Sequence, residues 1–229
     1  MKTYIYYGSI IGFWLLFFSS IAGFSQTQNV TDENGLKQGY WEKKRKNGVV
    51  KYKGQFKDDM AYGKFKYYDK EGTIITTLEY STSDSALATH FHSNSKKAAF
   101  GYYVNEKKEG VWRFYDRKGV LASKETFIKG VKHGVYIVYN LNGSLSRKTE
   151  YVNGIENGYR KTFDGEGVLL SEGSIKDGQL DGLQKIYRSG IINVQGTYKH
   201  AVRDGEWVYY DEDGEVYKKE YYELGTKKN

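Results

Sequence analysis

The chain has 229 residues, of which 39% are hydrophobic, 17% aromatic and 28% charged, and this globular composition excludes an intrinsically disordered protein. It contains 23 tyrosines but no proline and no cysteine, which excludes disulfides and thiolate metal sites and favours paired strands. The formal net charge of +7 is compatible with anionic polymers, lipid head groups or an acidic protein as partners. Lys and Glu are interleaved, however, and no run of five basic residues occurs, as is typical of a solvated surface.

Residues 1–25 have the pattern of a secretory signal peptide. Lys2 is the only charge in this segment, residues 10–18 are all apolar or glycine, and small residues stand at Gly23 and Ser25. A basic start, a short apolar run and a small-x-small site together predict cleavage after residue 25.

The alternative for this segment is an uncleaved N-terminal membrane anchor, because the uncharged residues 4–24 are long enough to cross a bilayer. Either interpretation predicts an exported protein that is periplasmic, envelope-associated or secreted, and nucleic acid is then not an expected partner. Residues 26–34 are predicted to form an N-terminal cap, and residues 35–229 the main domain.

Two series of glycines divide the main domain into units of about 24 residues. Neighbours in each series are 23 or 24 residues apart, except for one double step where a unit lacks its glycines. The first series is Gly39, Gly63, Gly110, Gly134, Gly158, Gly182 and Gly205, and the second is Gly48, Gly72, Gly119, Gly143, Gly167, Gly190 and Gly214. A fixed period of this length is typical of a repeat architecture, which offers an extended binding surface more often than a catalytic pocket.

Aromatic and β-branched residues between the glycines predict strands. The positions two residues after the first-series glycines are Trp41, Phe65, Trp112, Tyr136, Arg160, Gln184 and Trp207. The second series follows Asn or Asp in several units, and such pairs mark tight hairpin turns. Each unit is therefore predicted to be a strand, a turn, a strand and a loop, with the second glycine series in the turns and the first in the loops. The chain is therefore predicted to be all-β, an elongated single-layer antiparallel β-hairpin repeat array of about eight 23–24-residue units.

The third unit is the most divergent of the eight. It has Ala86 and Ser95 where the two glycines are expected, but it keeps aromatic residues at Phe91 and Tyr103. A ninth unit begins at Gly225.

The segments Gly110–Tyr115 (GVWRFY) and Gly205–Tyr210 (GEWVYY) resemble the core of the MORN repeat, the membrane occupation and recognition nexus, in its bacterial variant. The resemblance covers about residues 35–225 and departs from the pattern at Arg160, at Gln184 and in the third unit. It implies an elongated β-hairpin array that serves as a protein-interaction or scaffold module, in some members tied to phospholipids. Bacterial relatives are often labelled antitoxin-like, which implies an antitoxin or immunity role as a further alternative.

Candidate binding residues are the aromatic columns, with Trp41, Trp112, Trp207, Tyr136 and Phe65 as their main members. Their rings could stack on a partner. The alternative is that they only pack the sheet together, since they recur in every part of the array.

His90 and His92 are the remaining candidate binding residues, because alternation along a strand would place both on one face. Such a pair could hold a metal, but neither Cys nor a third His is close in sequence, so two exposed polar residues are the alternative.

The sequence contains no nucleophile–base arrangement, and no enzyme activity, cofactor or metal is predicted. The predicted function is a non-catalytic scaffold at the cell envelope that binds a protein partner. The alternatives are binding of an anionic envelope polymer or phospholipid head groups, and an antitoxin or immunity role.

Overall fold

The computed structural model describes residues 28–229, so the predicted signal peptide or anchor and the first residues of the predicted cap lie outside the described residues. This part of the chain contains no helix, and therefore none with the length and apolarity to span a bilayer. Its strands are β1 (Val30–Thr31), β2 (Lys37–Lys44), β3 (Val50–Lys57), β4 (Met60–Tyr68), β5 (Ile74–Tyr80), β6 (Ser85–Phe91), β7 (Lys97–Val104), β8 (Lys107–Tyr115), β9 (Leu121–Ile128), β10 (Val131–Tyr139), β11 (Leu145–Val152), β12 (Ile155–Glu156), β13 (Gly158–Phe163), β14 (Leu169–Lys176), β15 (Gln179–Arg188), β16 (Ile191–Lys199), β17 (Val202–Tyr210), β18 (Val216–Glu223) and β19 (Thr226–Lys228).

The strands form one open antiparallel sheet in hairpin order, in which each strand pairs with the next along the chain. The short β12 and the following β13 both pair with β11 and together make one side of the sixth hairpin. The strands from β2 to β18 make eight hairpin units, with β1 and β19 at the two edges. The predicted all-β repeat array of eight units is therefore confirmed.

The two ends of the strands are closed by different turns. At one end, two residues with positive φ connect neighbouring units, as at Asn105 (φ 49°) and Glu106 (φ 61°). Two consecutive positive φ angles define a type I′ turn, whose twist matches that of the strands it joins. At the other end most units have a five-residue loop, in which Asp116 Oδ1 accepts hydrogen bonds from the backbone N–H groups of Lys118 and Val120, both at 2.8 Å.

Both glycine series have positive φ throughout, but the first series lies inside strands and not in loops as the sequence interpretation had it. Gly134, for example, has φ 90° and lies within β10, where the pairing with β9 shifts register between Lys132 and Tyr136. A glycine in this conformation makes a β-bulge, because the extra residue needs a backbone geometry that a side chain disfavours. His133, which directly precedes Gly134, is also part of β10.

The third unit keeps the strands but loses the bulge. Ala86 does not have positive φ, and β5 pairs with β6 without a register shift. In the loop that follows, Ser95 takes φ 64°, the conformation that glycine has in the other units. The irregularity of this unit is therefore local, and Ala88 is buried at the position where other units bury Phe65, Trp112 and Trp207.

Candidate binding surfaces

The face that carries Trp112, Phe114 and Phe127 is here called the aromatic face. Trp112 and Trp207 are 0% and 1% exposed, and Phe65 is 2% exposed, so these rings leave a partner almost no surface to touch. Trp41 and Tyr136 are half-buried in the same column. The binding role predicted for these five residues stays a prediction, while packing of neighbouring strands is the role that the structure gives them.

Phe65, Trp112 and Trp207 each lie against a glycine of the preceding strand, a feature that the sequence reasoning missed. A Cβ atom on Gly101 would lie 2.6 Å from Cε2 of Trp112, and one on Gly196 would lie 2.6 Å from Cγ of Trp207. Trp112 Nε1 donates a hydrogen bond to the Tyr102 carbonyl at 3.0 Å, which satisfies the one polar group of the buried ring. These glycines are spaced by the repeat, so the sequence does contain a signal for them.

A basic side chain two residues before a first-series glycine lies over the rings of its own unit. Lys108 Nζ is 4.9 Å from the centroid of Trp112, 4.7 Å from that of Phe114 and 4.9 Å from that of Phe127. The equivalent contacts are Lys37 on Trp41 at 5.7 Å, Lys132 on Tyr136 at 4.7 Å and Arg203 on Trp207 at 4.2 Å. Cations at such distances are attracted by the ring quadrupole, so four of the eight units supply their own cation to the aromatic face.

Gln184 and Arg160, which replace an aromatic residue in the column, make polar contacts at the places where the other units have a tryptophan hydrogen bond and a cation over a ring. Gln184 Nε2 donates to the Ser174 carbonyl at 2.6 Å, in the place where a tryptophan N–H donates in other units. Arg160 forms an ion pair with Glu156, which stands two residues before Gly158, so the positions of cation and partner are exchanged. Although burial acts in the opposite direction, the hydrogen bond and charge of Arg160 hold the pKa of Glu156 below its usual value.

The two candidate histidines do not face a common site. His90 lies on the aromatic face, with Nδ1 2.9 Å from Thr76 Oγ1 and its ring stacked on Trp112 at a centroid distance of 5.8 Å. Burial and the nearby charge of Lys108 lower the pKa of His90. His92 follows the end of β6, and its Nε2 donates to the Tyr115 carbonyl at 2.9 Å. Within residues 28–229, no group of three or more His, Asp or Glu is placed to hold a metal ion.

The opposite face of the sheet carries a row of basic residues across the middle of the strands, here called the basic ladder. Its members are Lys53, Lys66, Arg113, Lys124, Lys148, Lys161, Lys185 and Lys219. Three neighbouring pairs stand directly opposite each other in the register, namely Lys53 with Lys66, Arg113 with Lys124 and Lys148 with Lys161. Like charges in direct cross-strand pairs destabilise a sheet, so packing within the chain does not account for this row.

Only part of the basic ladder is neutralised inside the chain. Lys53 lies 2.8 Å from Glu42 and Lys161 lies 2.8 Å from Glu172, while Lys219 lies 3.1 Å from Glu206. These contacts raise the pKa of all three lysines, in each case chiefly through the hydrogen bond with the carboxylate. Among the residues that the structure describes, the other five members have no carboxylate within 4.0 Å; they are Lys66, Arg113, Lys124, Lys148 and Lys185.

An exposed apolar row runs beside the basic ladder. Val111, Tyr159 and Leu183 stand two residues before ladder members, and Val135 stands two residues before Ile137, which holds the equivalent position of the fifth unit. Val111, Val135, Tyr159 and Leu183 are 45%, 37%, 40% and 48% exposed. Residues two apart on a strand share a face, so this row and the ladder form one surface. The sequence reasoning missed this surface, although four ladder members (Lys66, Arg113, Lys161 and Lys185) follow a first-series glycine by three residues.

The MORN repeat variant family matches this chain at residues 108–129, 132–153 and 203–224. Each matched segment begins at a cation that lies over the aromatic face, Lys108, Lys132 or Arg203. The chain therefore carries MORN repeat variants in three of its eight units, and repeats of this kind are generally protein-binding or membrane-binding modules. No curated protein matches the chain.

Among solved structures, the crystal structure of TarM is similar to this chain with a TM-score of 0.32 and 20% identity, over 41% of this chain and 19% of TarM. A TarM mutant from S. aureus in complex with fondaparinux, alpha-GlcNAc-glycerol and UDP gives a TM-score of 0.32 and 18% identity, over 42% of this chain and 19% of that one. The chain spans about a fifth of the length of these structures. Similarity at this level carries no argument about function.

Proposed function

We propose that this protein is an exported, non-catalytic scaffold of the cell envelope that binds a protein partner through the surface formed by the basic ladder and the apolar row. The export part of the proposal rests on the signal-like pattern of residues 1–25. The binding part rests on one observation, the row of basic residues in which like charges stand directly opposite each other.

The arrangement favours a partner with an acidic surface. Three direct like-charge pairs cost stability, each by roughly 0.2–1 kcal/mol, and an acidic partner would remove that cost on binding. The neighbouring row of Val111, Val135, Tyr159 and Leu183 supplies apolar contact area, as the centre of a protein interface requires. A site that only recognised charge would not need these exposed side chains.

A second candidate is an anionic phospholipid surface or envelope polymer. The observation that favours it is the linear spacing of the ladder, since neighbouring strands lie about 4.8 Å apart and present their charges in a line. Binding of this kind would weaken steeply as the salt concentration rises. An antitoxin or immunity role follows from the family resemblance alone.

The test compares two variants with the same change in net charge. In the ladder variant, the five members without a carboxylate partner (Lys66, Arg113, Lys124, Lys148 and Lys185) become Gln. In the control variant, five exposed lysines away from the ladder (Lys57, Lys70, Lys129, Lys176 and Lys199) become Gln. Immobilised wild type and both variants are exposed to envelope extract, and captured proteins are identified by mass spectrometry.

The proposal expects a protein that the wild type and the control variant capture and that the ladder variant loses. If the ladder variant retains the same proteins as the wild type, the proposed surface is wrong. Vesicles with about 30% anionic lipid are a parallel probe. The second candidate would be favoured if the wild type binds these vesicles, the ladder variant does not, and neither captures a protein from the extract.

A further inference from the structure

In two consecutive units of the aromatic face the cation of the repeat pattern is absent, and the seventh unit, with Leu180 at this position, lacks it as well. In four units a Lys or Arg two residues before the first-series position lies over the rings, as Lys108 does over Phe114 and Phe127. In the second and third units the same position holds Ala61 and Asp84. Two consecutive units thus lack the cation, and the second of them has a carboxylate in its place.

A cavity of 580 Å³ lies at this point, on the opposite side of the sheet from the basic ladder. It is lined by Tyr67, Tyr80 and Tyr103, by Ala86, and by the carboxylates of Asp84 and Glu106. Tyr67 and Tyr80 occupy the repeat positions of Phe114 and Phe127, the rings on which Lys108 rests. Ala88 of the third unit stands where the neighbouring units bury Phe65 and Trp112, so the unit that breaks the glycine series also lacks the large ring of the column.

The charge of the cavity is complementary to a cation. Asp84 and Glu106 are exposed, and neither is within 4.0 Å of a basic side chain in the described part of the chain. Asp84 Oδ1 accepts one hydrogen bond, from Thr82 Oγ1 at 2.7 Å. Burial raises the pKa of Tyr67 and of Tyr80, and the nearby carboxylate of Glu106 raises both further, so the two phenols are neutral at physiological pH. The lining residues therefore carry two negative charges and no positive charge.

We propose that this cavity binds a small organic cation with a quaternary ammonium head, which would take the place that Lys108 Nζ occupies in the fourth unit. Tyrosine faces attract such a head through the ring quadrupole, and cages of this composition suit methylated ammonium groups better than hydrated metal ions. A divalent metal takes about six to eight oxygen ligands, whereas Asp84 and Glu106 are the two carboxylates of the lining, and no group of three or more acidic or His side chains within residues 28–229 is placed to hold a metal. The inference uses the aromatic face alone, so it stands independently of the function proposed for the basic ladder.

The specificity of the cavity follows from its two carboxylates. Choline carries a trimethylammonium head and no negative charge, so it fits both the rings and the acids. Glycine betaine has the same head but adds a carboxylate, which Asp84 and Glu106 would repel. The neutral isostere 3,3-dimethylbutan-1-ol has the shape of choline without its charge, and it separates attraction to the cation from filling of an apolar cavity.

The experiment titrates the full chain with choline chloride, glycine betaine and the neutral alcohol by NMR or calorimetry. Choline is expected to bind, with the other two compounds weaker by at least about fivefold, the factor that one unit charge at about 4 Å gives in water. Glu106→Gln and Asp84→Asn should each weaken choline binding by about the same factor. Glu71→Gln removes an exposed acid outside the cavity and should leave binding unchanged.

The sharpest variant is Ala61→Lys, which places in this unit the cation that four other units already have. It should abolish choline binding without lowering the midpoint of unfolding, because the new ammonium would lie on Tyr67 and Tyr80. Failure of the wild type to bind choline, equal binding of the neutral alcohol, or unchanged binding in a folded Ala61→Lys variant would each overturn the proposal. If the basic ladder binds no protein partner, the proposal for the cavity is unaffected, so the two proposals can be refuted independently.

Discussion

Gly101 offers the most direct test of how the sheet is held together. It is buried in β7 with ordinary strand φ, and the ring of Trp112 lies directly on its Cα. In the variant Gly101→Ala, the new Cβ would lie 2.6 Å from both Cγ and Cε2 of the ring, against a normal carbon contact of about 3.5–4.0 Å. The ring or the strand must therefore move by about 1 Å.

Such a shift is costly because Trp112 is fully buried and its Nε1 is fixed by the 3.0 Å hydrogen bond to the Tyr102 carbonyl. Overpacking of a filled core costs about 1–3 kcal/mol, and we expect a loss of that size in the free energy of unfolding. The measurement is urea denaturation, followed by tryptophan fluorescence and far-UV circular dichroism.

The matched control is Gly165→Ala, because Gly165 has no positive φ and no atom within 4 Å of an added Cβ. That variant should stay within about 0.5 kcal/mol of the wild type. A double-mutant cycle with Trp112→Leu adds specificity, since Gly101→Ala should cost much less once the large ring is gone. Equal unfolding midpoints for Gly101→Ala and Gly165→Ala would refute the ring-on-glycine account of the core.

Three further predictions concern the cation, the turn and the acid stability of the array. Lys108→Met should lower the free energy of unfolding by about 1 kcal/mol because three ring contacts are lost, whereas Lys107→Met, at an exposed neighbour, should have little effect in the same urea titration. Ser95→Gly should raise the thermal midpoint, because a serine at φ 64° costs about 1 kcal/mol that glycine avoids, and an unchanged midpoint would argue against strain in this loop. Hydrogen bonds from Lys218, Lys227 and Tyr209 lower the pKa of Glu220, so its contribution to stability is present above its unfolded pKa of about 4.3 and is lost as the pH falls toward the folded value. The difference in unfolding midpoint between the wild type and Glu220→Gln should thus be constant from about pH 7 to 5 and shrink below about pH 4; a constant difference down to pH 2 would contradict this.

The backbone plan of the array could be predicted from the sequence because its signals are local. Asn-Gly and Asp-Gly pairs specify hairpin turns by the backbone angles that they allow, and both glycine series have positive φ. The third unit was also placed correctly, since Ser95 takes the glycine conformation at the expected position. The location of the first glycine series was wrong, because a bulge inside a strand and a residue in a loop both require positive φ and look alike in a sequence.

The candidate sites could be predicted far less well, because they depend on contacts between strands. Trp112 was predicted at a binding surface and is fully buried, since burial is decided by the glycine opposite it in the neighbouring strand. The basic ladder joins residues such as Lys148 and Lys161 that are adjacent only through the register. In the sixth unit Glu156 stands where other units have the cation and Arg160 where they have the ring. That the two side chains form an ion pair is likewise seen only in the structure.

By itself, the sequence determined the period, the all-β class and the count of eight units, because turn and bulge conformations are properties of a few neighbouring residues. Only the tertiary structure decided which rings are covered, which charges lie side by side, and where a cation position stands open between Ala61 and Asp84. The physical reason is that each of these features is a sum of contacts between residues on neighbouring strands, about half a repeat or more apart in the chain. Such contacts exist only once the strands have paired in one register.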